Sequence, residues 1–254
     1  MVDYEVRGHV AVLTINRPEA RNAVNGDVAA GMEAAIDRLE ADDDLWVGVV
    51  TGAGPVFSAG ADLKAVSTGQ AAGMQTERGG FAGIARRERL KPMIAAVDGP
   101  ALAGGCEIVL SCDLVVASTN ARFGIPEVKR SLIAGAGGLF RLPRALPSRI
   151  AMELALTGDP IDAERAYALG LVNRLVDPGK AVDAAVELAE AICLNAPLSV
   201  RESRTVVRAA MGADDEDELW RVTNECFGRI AGTEDFVEGP KAFIEKRAPQ
   251  WKGR

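Results

Sequence analysis

Residues 93–119 read MIAAVDGPALAGGCEIVLSCDLVVAST, and their order decides the fold. MIAAVDG has the short apolar run of a buried strand, GGCEIVLSCD that of a short helix, and LVVAST that of a second strand. A strand, a helix and a strand in that order predict a crossover unit with a parallel component. Glu107 is the one charged group inside the helical run, flanked by Cys106, Ile108, Val109 and Leu110. On a helix that begins near Gly104 it falls in the first turn, close to exposed backbone N–H groups. Burial there raises a carboxyl pKa, whereas the helix end lowers it. Taken alone, Glu107 reads equally well as a buried structural carboxylate or as a functional one.

The pattern extends in both directions. DYEVRG and HVAVLTIN, separated by Gly8, predict a hairpin. NGDVAAGMEAAIDRLEADDD predicts a helix capped by Asn25, with Val28, Met32, Ala35, Ile36 and Leu39 on the face that packs on the sheet. LWVGVVTG is then a buried strand, and Asp42, Asp43 and Asp44 form an exposed connection into it. From about Ala136 onward the signals are almost all helical, with LVNRLVD the one interruption that reads as a strand. The acidic run from Asp214 to Glu218 sits where a helix starts, as a first turn that complements the helix dipole.

Composition narrows the function. The chain has 254 residues, enough for a sizeable core, and a formal net charge of −7, which disfavours a broad nucleic-acid footprint or a basic membrane patch. Any polyanion must therefore be met locally. Cys106, Cys112, Cys193 and Cys226 form no C-x-x-C pair and, with a single histidine, give no metal-ligand spacing; they read as reduced thiols. No window approaches the ~20 apolar residues of a spanning helix, and the stretch YEVRGHVAVLTINRP shows no charged region followed by a long apolar run. The expectation is a soluble, cytoplasmic protein.

Gly52-Ala53-Gly54-Pro55-Val56-Phe57 places Phe57 where a dinucleotide fingerprint needs its third glycine, and GAGGLF at 135–140 fails in the same way. The lone histidine, His9, lies in the first hairpin, and no G-x-S-x-G elbow is present, so Ser-His-Asp and Cys-His mechanisms are excluded. Carboxylates remain as the acid/base inventory. Glu127, in ARFGIPEVKRS just past Pro126, reads by itself as an exposed turn residue. FSAGADLK at 57–64, with Asp62 as a cap, and AGGCE at 103–107 each lead into a helix N-terminus. Two such termini facing one another could polarise a carbonyl, and close helix packing would explain the same glycines.

FSAGADLK, KPMIAAVDGPALAGGCEIVLSCDLVVAS, ARFGIPE and AGAGGLFRLPR, in this order and spacing, resemble the crotonase (enoyl-CoA hydratase/isomerase) superfamily. RPEARNAV and EGPKAFIEKRAPQWKGR extend the resemblance to nearly the whole chain. It implies an α/β fold, a spiral of ββα units over 1–195, followed by a helical region at 196–254 that mediates trimerisation, as a homotrimer or a homohexamer built as a dimer of trimers. It implies an acyl-CoA thioester held at its carbonyl by the backbone N–H groups of Ala61 and Gly104, with Glu107 and Glu127 as the acid/base pair. Members with both glutamates are hydratases, which add water syn across the 2,3 double bond of a trans-2-enoyl-CoA. Glu107 would mainly activate the water and Glu127 would donate the proton. Arg21, Ala23, Lys64, Lys241 and Lys246 are implied contacts of the CoA moiety, and Gly135 lies in the implied active-site loop. No metal or separate cofactor is implied, and neither nucleic acid nor membrane is an expected partner.

Within the superfamily the rival reaction is double-bond isomerisation or another thioester reaction using one glutamate. Outside catalysis the rival is an RNA-binding or scaffolding homologue, which the acidic composition disfavours. Arg130 and Ala134 depart from the residues more usual in hydratases beside Glu127. Residues 65–90, rich in Gly and Ala, are expected to form a mobile segment and a helix that line the acyl pocket.

Overall fold

The structure, a computed structural model, describes every residue of the chain except Thr68 and Gln70. β1 (Val2–Arg7) and β2 (Val10–Ile15) form the expected antiparallel hairpin. α1 (Gly26–Ala41) follows, its N-terminus closed by the Asn25 side chain, which accepts from Val28 N at 3.0 Å. Val28, Met32, Ala35, Ile36 and Leu39 are all buried, as the 3.6-residue spacing requires. β3 (Val47–Gly52) then runs parallel to β2.

After α2 (Leu63–Ser67) and a 3-10 turn (Ala71–Met74) comes a small hairpin of β4 (Gln75–Thr76) and β5 (Gly80–Phe81). The unit read at 93–119 follows as β6 (Met93–Val97), β7 (Pro100–Leu102), α3 (Gly104–Ser111) and β8 (Leu114–Ser118). β9 (Arg122–Gly124), α4 (Gly138–Ala145), α5 (Ser148–Thr157), β10 (Ile161–Asp162), α6 (Ala163–Ala168) and β11 (Arg174–Val176) complete the α/β part. The chain ends in α7 (Ala181–Cys193), α8 (Pro197–Ala210), α9 (Glu216–Ala231) and α10 (Glu234–Glu245). Repeated ββα units and a helical C-terminal bundle are thus the architecture.

The main sheet has the order β1-β2-β3-β6-β8-β11, parallel from β2 onward. Its central strands are covered on both faces, which is why they read as unbroken apolar runs. The two-residue period still sorts them: Val10, Val12, Val47, Val49, Ile94 and Ala96 face α7, whereas Ala11, Leu13, Ile15, Val50 and Ala95 face the core that contains α1.

Three features differ from the sequence reading. A second sheet, β10-β9-β7, was not foreseen, because its strands are only two or three residues long and carry no resolvable period. β10 is also an additional strand inside the stretch expected to be helical but for LVNRLVD. The helix expected within 65–90 is absent beyond the end of α2: the described residues form the 3-10 turn, the β4–β5 hairpin and turns. Thr68 and Gln70, within that stretch, lie outside the described residues. His9 is structural, stacked on Trp46 at 3.8 Å between ring centroids, with Nδ1 2.6 Å from the Asp44 carbonyl oxygen.

One buried side chain fixes the loop that follows β3. Asn22 is fully buried; its Oδ1 accepts from Arg17 N at 2.9 Å, and its Nδ2 donates to the carbonyl oxygens of Ala53 at 2.8 Å and Val56 at 2.6 Å. Asn22→Ala removes all three bonds and strands buried carbonyls, so it should destabilise the protein by about 3 kcal/mol. An unchanged urea midpoint would show that the 53–57 loop holds its path without Asn22.

Candidate active site

β7 passes into α3 through Ala103, whose φ of 52° and ψ of −129° place an alanine in backbone space that glycine favours. The turn is held at both ends: Ala103 N donates to Gly124 O at 2.9 Å, and Ala103 O accepts from Glu107 N at 3.1 Å. Gly104 thereby opens the helix with its N–H directed out of the intrahelical ladder. The 58–62 loop crosses beside it. Val24 bridges Ala61, with Val24 N donating to Gly60 O at 2.8 Å and Asp62 N to Val24 O at 2.9 Å, which leaves the Ala61 N–H on the opposite edge. Among the described residues, neither Ala61 N nor Gly104 N donates to a protein acceptor.

The approach is as close as backbones allow. A β-carbon on Gly60, at φ +88°, would lie 2.6 Å from Gly104 N, and one on Gly104 would lie 2.5 Å from the Cε1 and Cζ atoms of Phe81. Phe81, 6% exposed, therefore roofs the start of α3. Its role was invisible in the sequence, because nothing local ties β5 to Gly104.

Glu107 is 3% exposed, and its Oε1 accepts from Ala136 N at 2.7 Å and Gly138 N at 2.9 Å. Burial pushes its pKa up; the two N–H groups and the Arg141 guanidinium oppose that rise. Glu127 lies in the 3-10 turn Pro126–Arg130 and is half-buried rather than the exposed residue its local sequence suggests, with Oε2 buried and unpartnered. Burial raises its pKa, its own backbone N–H lowers it, the Glu107 charge raises it further, and Arg130 lowers it. The two carboxyls thus feel one another. Cys106 is no nucleophile: burial, reinforced by Glu107, pushes its thiol up to about 12.

Arg141 is the residue that sequence reading missed. Its Nη1 donates to Ala136 O at 3.2 Å and its Nη2 to Ala85 O at 2.6 Å, so it ties the 84–85 turn to the loop whose N–H groups hold Glu107. The available signal was an arginine one turn into the helix that follows a glycine-rich loop. Gly135 lies exposed in that loop, while the donors to Glu107 come from Ala136 and Gly138. Ala134 is buried against Gly138, and Arg130 acts on Glu127 through its charge.

Arg21, Ala23 and Lys64 flank the loop that carries Ala61. Arg21 is exposed and its carbonyl accepts from Ala59 N at 3.0 Å; Ala23 is buried beside Val24; Lys64 is exposed, with its N–H on Asp62 Oδ1 at 3.0 Å. Lys241 and Lys246 belong to the last helix of the C-terminal region. They lie on α10 and at its end, and among the described residues no hydrogen bond or ion pair joins α10 to the elements carrying Glu107, Glu127, Ala61 or Gly104.

The arrangement offers two unclaimed N–H donors at one end of a helical turn and a buried carboxylate at the other, with a second carboxylate nearby. Comparison with known proteins matches the chain to a family. A family model described as enoyl-CoA hydratase/isomerase matches residues 5–254. The crystal structure of an enoyl-CoA hydratase from Mycobacterium tuberculosis H37Rv is 47% identical, with a TM-score of 0.95, covering 100% of this chain and 99% of that one. The short-chain-enoyl-CoA hydratase of Clostridium acetobutylicum is 42% identical over 251 residues, 96% of this chain and 94% of the relative. The carnitinyl-CoA dehydratase of Proteus mirabilis is 38% identical over 253 residues, 98% of this chain and 97% of the relative.

Both carboxyls have folded-state pKa values raised above their unfolded ones, so the folded state binds more protons in the window between the two values. Stability therefore falls as pH rises through that window. Glu107→Gln and Glu127→Gln should each be at least as stable as the wild type at pH 8, with any advantage shrinking as pH falls into the range where the glutamates protonate. Thermal melts at both pH values check this; a Gln variant markedly less stable at pH 8 than at acid pH, relative to wild type, contradicts the burial argument.

Proposed function

We propose that this chain, which belongs to the enoyl-CoA hydratase/isomerase family, adds water syn across the 2,3 double bond of a trans-2-enoyl-CoA to give the 3-hydroxyacyl-CoA. It is an enzyme of the hydratase/dehydratase type and acts on an acyl-CoA thioester. The finer reading rests on one observation: Gly104, with its unclaimed N–H, and Glu107 share the first turn of α3, beside the unpartnered Oε2 of Glu127.

In this mechanism the thioester oxygen sits between the Ala61 and Gly104 N–H groups. Attack by water at C3 pushes charge onto that oxygen, and each preorganised donor contributes about 3 kcal/mol to holding it. Glu107 is anchored through Oε1, so its Oε2 takes the proton from the water. Glu127, whose burial favours the protonated form, delivers a proton to C2. With both carboxyls on one side of the double bond, oxygen and hydrogen add to the same face. Read backward, the same groups dehydrate a 3-hydroxyacyl-CoA.

Lys64 and Arg21 flank the thioester site and serve the CoA moiety from the same chain. Lys241 and Lys246 serve it only from a neighbouring protomer. Trp220, Phe227, Val237, Phe243 and Ile244 on α9 and α10 are 61–85% exposed, an apolar surface that suits a homotrimer or a dimer of trimers.

Crotonyl-CoA is the probe substrate. Glu107→Gln and Glu127→Gln should each lower kcat by on the order of 10²-fold or more while thioester binding persists. Near wild-type turnover in either variant removes that residue from the mechanism. Gly104→Ala should lose activity and stability alone, because its β-carbon meets Phe81, and recover both when combined with Phe81→Leu. Product mass separates hydration from isomerisation, since only hydration adds a water.

A further inference from the structure

α3 has a second end. Its eight residues, about 12 Å of helix at 1.5 Å per residue, separate Gly104 from Ser111. Beside Ser111 opens a cavity of about 620 Å³, between the 84–90 segment, the end of α3 and α8. That volume is within the range of small-ligand sites. Its walls carry Arg89, Arg141, Arg204 and Arg208.

Arg89 and Arg204 are largely buried, Arg141 is partly buried, and Arg208 is half-exposed. Arg89 is 7% exposed and donates to Ile84 O at 3.3 Å and Ser111 O at 2.6 Å, which leaves its Nε buried without a partner. Arg204 donates to Arg89 O and lies 2.9 Å from Asp113 Oδ2, and Arg208 reaches Asp113 Oδ1 at 3.1 Å. Asp113 is fully used, since Oδ2 also accepts from Met93 N at 2.9 Å. Arg89 and Arg141 donate only to backbone carbonyls. Of the acids in the walls, Glu40 is committed to Leu90 N and Lys91 N, and Glu88 is exposed.

Arg204 and Arg208 share the Asp113 carboxylate, and Arg86 and Arg87 also line the cavity, Arg87 paired with Asp37. Burial pushes the Arg89 guanidinium below the usual arginine range, with Arg204 and Arg208 adding to the effect, and Arg141 is lowered by burial, Arg208 and Arg89. Capping the C-terminal carbonyls of α3 accounts for Arg89. It does not account for the convergence of the other three. In a chain of net charge −7, such a concentration of positive charge needs a local reason.

We propose that this cavity is a binding site for a small polyanion of the phosphate class, about the size of pyrophosphate, distinct from the thioester centre. Its oxygens accept from the guanidinium nitrogens of Arg208 that are not spent on Asp113. The binding depends on no step of the hydration reaction.

The test is isothermal titration calorimetry of the full chain in phosphate-free buffer at fixed ionic strength. Pyrophosphate, phosphate and ADP are the probes, and chloride is the ionic control. The expected result is saturable binding of pyrophosphate, or of ADP if the natural ligand carries its diphosphate on a nucleoside, at one site per chain. It should weaken at least tenfold in Arg208→Gln, recover partly in Arg208→Lys, and be unmoved by saturating CoA. Arg208 is half-exposed and Arg204 keeps Asp113 paired, so the Gln variant should fold and turn over crotonyl-CoA as the wild type does. No binding above the chloride control, equal binding in Arg208→Gln, or displacement by CoA would each overturn the proposal. A change of oligomeric mass in Arg208→Gln without pyrophosphate binding would also overturn it, assigning the arginines to an interface.

Discussion

The structure depends on the contact between the backbone at Gly60 and the first residue of α3. A β-carbon on Gly60, at φ +88°, would lie 2.6 Å from Gly104 N, so the crossing needs glycine at 60, while one on Gly104 would lie 2.5 Å from the Phe81 ring and 3.3 Å from Gly60 Cα. The loop after β3 and the turn after β7 must both be held to within a fraction of an ångström. Asn22 holds the first through buried hydrogen bonds, and the strained Ala103 turn sets the second. Strain and burial at this crossing are offset by the packed sheet beneath it, whose strands are covered on both faces.

Glu107 follows from the same constraint. A carboxylate one turn beyond Gly104 is carried into the core by the helix, where burial alone would discharge it. The 134–138 loop supplies two N–H groups and Arg141 supplies a nearby positive charge, which oppose the rise in its pKa. Glu127 has one oxygen buried without a partner, and the Glu107 charge adds to burial in raising its pKa. Two carboxyls of the same type are thus shifted in the same direction by different surroundings.

Elements with a clear period were legible in the sequence. The α1 face, the Asn25 cap, the strands flanking α3 and the start of α9 at Asp215 all follow from local chemistry. Glu107 was legible as an anomaly, a charge in an apolar run, and Ala61 and Gly104 through the glycines beside them, although their assignment as donors came from resemblance. What was not legible depends on contacts distant in sequence. Phe81 covers Gly104 from 23 positions away, Arg141 reaches Ala85, and β7, β9 and β10 are too short to carry a pattern. The helix expected in 65–90 is confined to the end of α2; the rest of the described part is a 3-10 turn, a hairpin and turns.

The central claim is that the Ala61 and Gly104 N–H groups are placed for negative charge on a thioester oxygen. Acetoacetyl-CoA tests this directly, because its enolate carries that charge without turnover, and ionisation is read from the ultraviolet absorbance of the bound ligand. The account predicts that the bound ligand is the enolate at a pH where the free ligand is the keto form, and that it remains so in Glu107→Gln, whose donors are intact. Acetoacetyl-CoA bound stoichiometrically, as shown by calorimetry, yet with the spectrum of the keto form would contradict it.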